Sequence, residues 1–263
     1  MRIGAVVVAS GHGFFRYVGG VRFPKVLEDV GGEPMISRIV RAVAGAKINP
    51  AVIIVNPLSG FRIKATLTAA GFTTCRYAIQ PQRRGAADAI MRAIPILRHE
   101  GITDFLAIYA DMPLWTAETI AALADQHRRE QPILSMVTVP LNDGHPVGLE
   151  RYGRVIRDGG EAISYVVEPV NATPEELAAR TVNPSLWAWR MKWFAEHVLE
   201  VLPVSRSDGF EPECCIPPLV GIGVADGQRI IELRLGDPWE ALGVNSVQEL
   251  ELVREVLRTR TKS

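Results

Sequence analysis

The sequence lacks an excess of charge of either sign and lacks any long hydrophobic run. Lysine plus arginine and aspartate plus glutamate number 29 each, so the formal net charge is zero. A balanced chain has no general attraction to nucleic acid or to an anionic membrane surface, so any polyanion must be held by local groups. The apolar run at residues 3–9 is too short to span a bilayer and has no signal-peptide cleavage pattern, so we expect no membrane partner.

Cysteine and histidine are few, and their spacing does not suit a disulfide or a metal site. The three cysteines are Cys75, Cys214 and Cys215, an odd number with one adjacent pair that does not suit a structural disulfide. Reduced thiols in a cytoplasm are the simplest account. No two of the five histidines stand at a metal-ligand spacing, which argues against a zinc site. The G-x-S-x-G element of esterases is absent as well.

The first 140 residues alternate regularly between strand and helix patterns. Apolar runs without polar alternation predict buried strands at 3–9, 51–55, 72–79, 105–109 and 134–139. Helical spacing of apolar residues predicts helices at 35–44, 63–70, 86–97 and 116–127. This alternation predicts an α/β fold built on a doubly wound, mostly parallel sheet.

The second half is richer in strands. A hairpin is predicted from strands 152–156 and 162–168 around the turn Asp158-Gly159-Gly160, because glycine tolerates positive φ. Further strands are predicted at 186–189 and 229–235, and helices at 191–202 and 247–258. With 48% hydrophobic residues among 263, the chain is predicted to form one domain, residues 1–263, with a β-rich second half.

The loop after the first predicted strand carries the first sign of chemistry. Ser10, Gly11 and Gly13 lie at the carboxyl end of that strand, where open α/β sheets bind their ligands. Glycine lets backbone N–H groups approach a polyphosphate, and Arg16 and Lys25 add positive charge. A Walker loop would need Gly-Lys-Ser/Thr, and a dinucleotide loop would need a third glycine three residues after the second. The spacing here fits neither alternative.

The residues after this loop resemble those of the sugar-phosphate nucleotidyltransferases. The run Phe23-Pro24-Lys25-Val26-Leu27 and the later Gly31-Gly32-Glu33-Pro34-Met35 match that family's P-K-[VAP]-L and G-x-P-[ML] elements. The resemblance implies a Rossmann-like, GT-A-like nucleotidyltransferase fold. It also implies that residues 1–140 bind the nucleotide, that 141–263 supply the sugar site and a closing helix, and that Lys25 and an arginine are catalytic.

The opening loop itself departs from the family pattern G-x-G-T-R-M, because it is longer. Arg16 takes the place of the family arginine in a shifted register, or Arg22 does. Phe14 and Phe15 either pack the loop or cover the nucleotide.

A metal site is predicted from two distant positions. Asp111 ends an apolar strand and precedes a proline, which suits a carboxylate that reaches a divalent cation, and Thr116 is the better placed helix cap. The segment around Asp111 resembles the family's metal-binding G-D-x-P. Asn245 lies in Gly243-Val244-Asn245, which resembles the family's G-V-N element. Taken alone, Asn245 or Ser246 fits a helix cap better, and only the resemblance pairs Asn245 with Asp111 around Mg²⁺.

The nucleotide base is assigned to the segment from Gln80 to Ala86. It resembles the family's Q-x-x-Q-x-G-T-x-H-A, in which the first glutamine reads the uracil edge. That role falls on Gln80, whose carboxamide can donate and accept at once. Gly85 would let the base lie close, and Ala86 stands in place of the family threonine. Arg83 and Arg84 are predicted to form a solvated turn.

The sugar side resembles the N-acetylglucosamine-1-phosphate uridyltransferases in four ordered elements. These are Tyr152-Gly153-Arg154-Val155, Val166-Val167-Glu168, Asn171-Ala172-Thr173 and Val182-Asn183. The resemblance implies that Gly153, Glu168 and Asn183 contact the acetamido sugar. Glu168 on its own would be read as a charge on a sheet edge.

The resemblance implies a Mg²⁺-dependent enzyme that joins UTP to a sugar 1-phosphate, most closely N-acetylglucosamine 1-phosphate, and releases pyrophosphate. Bifunctional members of that family continue into a left-handed β-helix of hexapeptide repeats, and no such repeats occur here. Uridyl transfer alone is therefore expected. Two alternatives remain open: another nucleotide or hexose 1-phosphate, and a nucleotide-binding homologue with impaired turnover.

Overall fold

The computed structural model describes residues 1–159, 161–201 and 214–260. Gly160 of the predicted turn and the end of the helix predicted at 191–202 lie outside the described residues. The strands are β1 (Ile3–Val8), β2 (Phe14–Val18), β3 (Val21–Pro24), β4 (Ala51–Val55), β5 (Arg76–Ile79), β6 (Asp104–Tyr109), β7 (Leu134–Pro140), β8 (Gly153–Arg157), β9 (Ile163–Val167), β10 (Thr181–Asn183), β11 (Trp187–Arg190) and β12 (Ile230–Arg234). The helices are α1 (Met35–Gly45), α2 (Gly60–Ala69), α3 (Ala86–Met91), α4 (Ile94–His99), α5 (Ala117–Glu130), α6 (Pro174–Leu177), α7 (Met191–His197), α8 (Pro218–Ala225) and α9 (Val247–Arg260).

One large sheet joins strands from both halves of the chain. Its order is β5-β4-β1-β6-β11-β7-β10-β8-β9, and β12 pairs with β7. The four strands from β5 to β6 are parallel, whereas β11 is antiparallel to both β6 and β7. The predicted α/β class is confirmed, with four adjacent parallel strands from β5 to β6 and an antiparallel extension that includes strands from the second half.

The sheet is covered by helices on both faces, because alternate side chains of each strand point to opposite sides. Ala5 and Val7 of β1 belong to one buried cluster together with residues of α1, α2, α5 and α9. Val6 belongs to a second cluster together with residues of α3, α4, α7 and α8. A central strand buried on both faces needs an unbroken apolar run, which is the pattern that β1 shows.

Several details differ from the sequence predictions. The prediction of one helix over 86–97 is wrong, because the chain forms α3 and then starts α4 with Pro95 in its first turn, where the missing N–H does no harm. Helix α8 begins with Pro218 and was not predicted, and neither was the separate hairpin of β2 and β3. No helix among the described residues is long and apolar enough to cross a membrane.

A buried polar network ties α5 to the sheet. His127 of α5 is fully buried, and its Nδ1 lies 2.7 Å from Ser135 Oγ on β7. Its Nε2 lies 3.2 Å from Asp104 Oδ1 at the start of β6. A buried polar group that loses its partner destabilises the fold. The network therefore fixes the position of α5 against β6 and β7.

We expect Asp104→Ala to destabilise the protein by about 2 kcal/mol or more, because it leaves a buried imidazole nitrogen without its partner. The measurement is the free energy of unfolding from urea titration. The matched control is Asp125→Ala. Asp125 lies within α5, but its side chain is 68% exposed and paired with Arg128. That control should cost less than about 0.5 kcal/mol. Equal losses for the two variants would contradict a structural role for the network.

Candidate active site

The glycine loop after β1 accepts hydrogen bonds from Asn56, a residue that the sequence analysis did not single out. Asn56, buried at the end of β4, donates from Nδ2 to the carbonyls of Ser10 at 3.1 Å and Gly11 at 3.2 Å. Its Oδ1 accepts the N–H groups of Leu58 and Ser59, both at 2.9 Å. The available signal was an Asn-Pro pair directly after a buried strand, which is typical of a turn.

Gly11 and Gly13 have different surroundings. A Cβ placed on Gly11 would meet no atom within 4 Å, so its backbone faces open space. A Cβ on Gly13 would lie 2.9 Å from Lys25 Cδ, and the Gly13 carbonyl accepts the Lys25 N–H at 2.9 Å. Glycine at position 13 therefore makes room for the lysine stem, in addition to any room it makes for a ligand.

Lys25, Asp111 and Asn245 converge on one point, as the metal and lysine predictions require. Lys25 Nζ lies 2.8 Å from Asp111 Oδ2 and donates to Asn245 Oδ1 at 2.7 Å and to the Val244 carbonyl at 2.8 Å. Only 14% of the lysine side chain and 24% of the aspartate side chain are exposed. Lys25 and Asn245, which are 220 positions apart in the sequence, are thus joined by a hydrogen bond from a charged donor.

Backbone contacts place these groups. β1 and β6 are adjacent and parallel, with Val8 opposite Tyr109, so the loops that follow them start at the same edge of the sheet. The Val244 N–H donates to the Asp111 carbonyl at 2.8 Å, which fixes the strand end to the segment before α9.

The oxygens around Lys25 Nζ suit a hard divalent cation. A carboxylate, a carboxamide and a main-chain carbonyl are ligand types that Mg²⁺ and Ca²⁺ accept, and Mg²⁺ usually completes its shell with waters and phosphates. These residues already surround one positive charge, the ammonium of Lys25. Within residues 1–159, 161–201 and 214–260 there is no group of three or more His, Cys, Asp and Glu side chains that could hold a metal without substrate oxygens.

The arginines of the β2–β3 hairpin stack on aromatic rings. Arg16 lies over Phe23 at 4.2 Å and donates from Nε to the buried Glu28 at 2.8 Å. Arg22 lies over Phe14 at 4.6 Å. Phe15 packs against the core cluster on the α1 face. The aromatic side chains therefore pack the hairpin, and a catalytic role for Arg16, or for Arg22 as its alternative, stays a prediction.

Gln80 is buried, and its carboxamide is bonded to protein groups. Its Oε1 accepts from Ser10 Oγ at 2.5 Å, and its Nε2 donates to the Gly85 carbonyl and to Asp88 Oδ2, both at 2.9 Å. This network connects the glycine loop to the start of α3. The prediction that Gln80 reads a uracil edge requires the exchange of at least one of these bonds.

Gly85 makes its closest approach to the chain itself. Its φ is 90° and its ψ is 176°, a conformation essentially restricted to glycine. A Cβ there would lie 2.4 Å from the Cys214 carbonyl oxygen. Cys214 also donates its N–H to the Arg84 carbonyl and accepts the Ala87 N–H, at 3.0 and 3.1 Å. The nucleotide-binding roles of Gly85 and of Ala86, the first residue of α3, stay predictions.

The three predicted sugar-side residues lie together. Gly153 pairs with Asn183 across β8 and β10, and a Cβ on Gly153 would lie 3.7 Å from Glu168 Oε1. Burial raises the pKa of the Glu168 carboxyl above its ordinary value. Asn183 is buried, and its side chain donates to the Val137 carbonyl and accepts the Ser185 N–H. Gly153 and Glu168 thus lie side by side, and their contact with a sugar stays a prediction, whereas the Asn183 amide is used within the fold.

Tyr152 connects the sugar side to the cation side. Its hydroxyl donates to the Ala241 carbonyl at 2.9 Å, and a Cβ on Gly243 would lie 2.8 Å from that hydroxyl oxygen. Burial, and then the nearby Asp111 carboxylate, raise the pKa of Tyr152. Glycine is therefore required at 243 for the tyrosine to reach beneath the segment that carries Asn245.

The chain is similar to several known proteins. The family described as "MobA-like NTP transferase domain" matches residues 5–180. Among curated proteins, the chain is 31% identical over 261 residues to the bifunctional protein GlmU of Pelotomaculum thermopropionicum, covering 99% of this chain and 53% of that protein. It is 30% identical over 267 residues to GlmU of Methylococcus capsulatus, with coverages of 99% and 53%. The chain thus spans about half the length of these relatives.

Two solved structures share the fold. One, from Bacillus anthracis, is described as a glucose-1-phosphate thymidylyltransferase and superposes with a TM-score of 0.73 at 17% identity, covering 97% of this chain and 95% of that one. The other is a CMP:2-keto-3-deoxy-manno-octonic acid synthetase with CTP, with a TM-score of 0.66 at 15% identity and coverages of 99% and 100%. The fold predicted through the family resemblance is confirmed.

We expect Gly85→Ala to destabilise the protein far more than Gly71→Ala. Gly71 also has a positive φ, 89°, but a Cβ there meets no atom within 4 Å. Its substitution should cost about 1 to 2 kcal/mol from backbone strain alone. Gly85→Ala adds a collision with the Cys214 backbone and should cost at least about 2 kcal/mol more. Urea unfolding of both variants measures the difference, and similar losses would show that the Cys214 contact carries no weight.

Proposed function

The chain belongs to the MobA-like NTP transferase domain family, and from this premise we propose that it forms a UDP-sugar and pyrophosphate from UTP and a sugar 1-phosphate. The sugar phosphate that we favour is N-acetylglucosamine 1-phosphate, and the cofactor is Mg²⁺. Residues 1–263 act in this proposal as one nucleotidyltransferase domain, in a reducing cytoplasm. The convergence of Lys25, Asp111 and Asn245 at the mouth of the glycine loop carries the proposal.

The reaction is an in-line displacement at the α-phosphorus. An oxygen of the sugar phosphate forms the new bond to phosphorus, the bond to the bridging oxygen of the β-phosphate breaks, and pyrophosphate leaves with the electron pair. No covalent enzyme intermediate is needed, so the residues act by positioning and by neutralising charge. Backbone N–H groups around Gly11 face the triphosphate, and Lys25 stabilises the negative charge that builds up on the transferring phosphoryl group. Mg²⁺ held by Asp111 and Asn245 would neutralise the phosphate oxygens further.

The resemblance of the sugar side supports an acetamido sugar. Gly153, at the start of β8, lies next to Glu168, which directly follows β9, at the positions where N-acetylglucosamine-1-phosphate uridyltransferases are expected to contact the sugar. The matching relatives are named GlmU, and this chain corresponds to about half of their length. The similarity to these relatives is what suggests the proposed substrates.

A second candidate keeps the chemistry and changes the nucleotide. The observation in its favour is the engagement of Gln80, whose amide is bonded to Ser10, Gly85 and Asp88. If those bonds persist when nucleotide binds, the base is read by other groups, and a cytidine or thymidine nucleotide becomes the substrate.

The decisive experiment measures pyrophosphate release for each nucleoside triphosphate with each sugar 1-phosphate, with Mg²⁺ and with a chelator. We expect the fastest release with UTP and N-acetylglucosamine 1-phosphate, and none with the chelator. Asp111→Asn should lower turnover about a hundredfold or more because it removes one negative ligand charge. Asp125→Asn, at an exposed position, is the control. A preference for CTP or TTP would support the second candidate, and tight UTP binding without release would indicate an impaired homologue.

Lys25→Met should separate catalysis from metal binding. Turnover should fall about a hundredfold or more, because one donor to the transition state is lost. The affinity for Mn²⁺, measured by the electron paramagnetic resonance signal of the free ion, should not fall, because the ammonium occupies the Asp111 and Asn245 oxygens that would hold the metal.

Lys192→Met provides the control for removing a lysine, since that side chain is 84% exposed. It should change neither quantity. Unimpaired turnover in Lys25→Met would rule out the catalytic assignment of Lys25.

A further inference from the structure

Glu249, in the first turn of α9, bonds with both carboxylate oxygens. Its Oε2 accepts the backbone N–H of Asn245 at 2.7 Å, and its Oε1 lies 2.8 Å from Arg151 Nη1. Only 12% of the Glu249 side chain is exposed, so these bonds are partly shielded from solvent. The residue held in this way is Asn245, whose Oδ1 accepts from Lys25 Nζ, the group that also pairs with Asp111.

Ordinary helix capping does not account for this arrangement. At α6 the carboxylate of Glu176 accepts the N–H of Thr173, the residue whose side chain caps the helix. At α9 the Ser246 side chain accepts the Glu249 N–H at 3.1 Å, which places Ser246 in the position of Thr173. The Glu249 carboxylate passes over Ser246 and bonds to Asn245 instead. The Glu249 carboxylate therefore stabilises the residue before the cap and not the cap residue itself.

We propose that Glu249 is a positioning residue for Asn245 and that Arg151 holds the far oxygen of its carboxylate. The Asn245 N–H bond to Glu249 and the Val244 N–H bond to the Asp111 carbonyl fix two consecutive peptide groups. The Asn245 side chain is thereby aimed at Lys25 Nζ, which also contacts the Asp111 carboxylate. This inference rests on the proposed function, in which Asn245 is a ligand of the divalent cation. Removal of a group that orients a metal ligand commonly lowers metal affinity or activity by roughly 10 to 100-fold.

Arg151 extends the same network toward the sugar side. It directly precedes Tyr152, whose hydroxyl bonds to the Ala241 carbonyl, and Gly153, which lies beside Glu168. Glu249 therefore joins the closing helix to the segment that enters β8. The predicted cation ligand and the segment that enters β8 are thus held by one connected set of polar contacts.

The test measures Mn²⁺ affinity by electron paramagnetic resonance, in the presence of the nucleoside triphosphate that the pyrophosphate assay selects and without sugar phosphate. Glu249→Ala should weaken Mn²⁺ binding about tenfold and raise the Mg²⁺ concentration for half-maximal turnover by a similar factor. Glu249→Gln keeps an acceptor for the Asn245 N–H and should restore most of the affinity. Glu176→Ala removes the corresponding carboxylate of α6 and should leave Mn²⁺ affinity unchanged.

The outcomes separate this inference from the function on which it rests. Unchanged Mn²⁺ affinity in a folded Glu249→Ala protein, with binding lost in Asp111→Asn, would overturn the positioning role alone. Mn²⁺ binding that does not depend on Asp111 would overturn the metal site and the positioning role together. An equal loss in Glu249→Ala and Glu176→Ala would reduce Glu249 to a capping residue and would also overturn the inference.

Discussion

The ion pair between Lys25 and Asp111 is the contact on which the candidate site depends. Each partner is mostly shielded from water, so the attraction between them is stronger than that of an exposed pair. A cation nearby stabilises a carboxylate at this partly shielded position. The site therefore needs a positive charge at this point, whether from the lysine or from a metal ion bound with substrate.

The sheet order explains why so distant residues can supply that site. β1 and β6 are neighbours, so the glycine loop and the Asp111 turn emerge at one edge, which is where open α/β sheets bind ligands. The segment before α9 reaches the same edge through the Val244 bond to Asp111 and is then fixed by Glu249 and Tyr152. The antiparallel strands β8 and β10 extend the sheet beyond β7 and bring Gly153 and Asn183 together.

The sequence allowed prediction of the features that depend on local pattern. Buried strands such as β1 and β4 were recognisable because their apolar runs are continuous, and Asp111 was recognisable because a charge at the end of such a run is unusual. The β2–β3 hairpin was missed because it is partly exposed and has no apolar alternation strong enough to mark it. The contacts of Asn56 with the glycine loop, of Glu249 with Arg151 and of Cys214 with Gly85 join residues far apart in the chain, and no local pattern reports which residues they join.

The polar groups assigned to substrate are already bonded within the protein, which determines how binding must work. Lys25 donates to three oxygens, and Gln80 bonds to Ser10, Gly85 and Asp88. A ligand that contacts these groups replaces existing hydrogen bonds, so the net gain from each contact is the difference between two bonds. The internal bonds hold the side chains in place before binding and lower the entropy cost of ordering them. If Gln80 reads the base as proposed, discrimination between nucleotides depends on which ligand offers Gln80 a better set of partners than Ser10, Gly85 and Asp88 already provide, since an incorrect base leaves the existing bonds as the more stable arrangement.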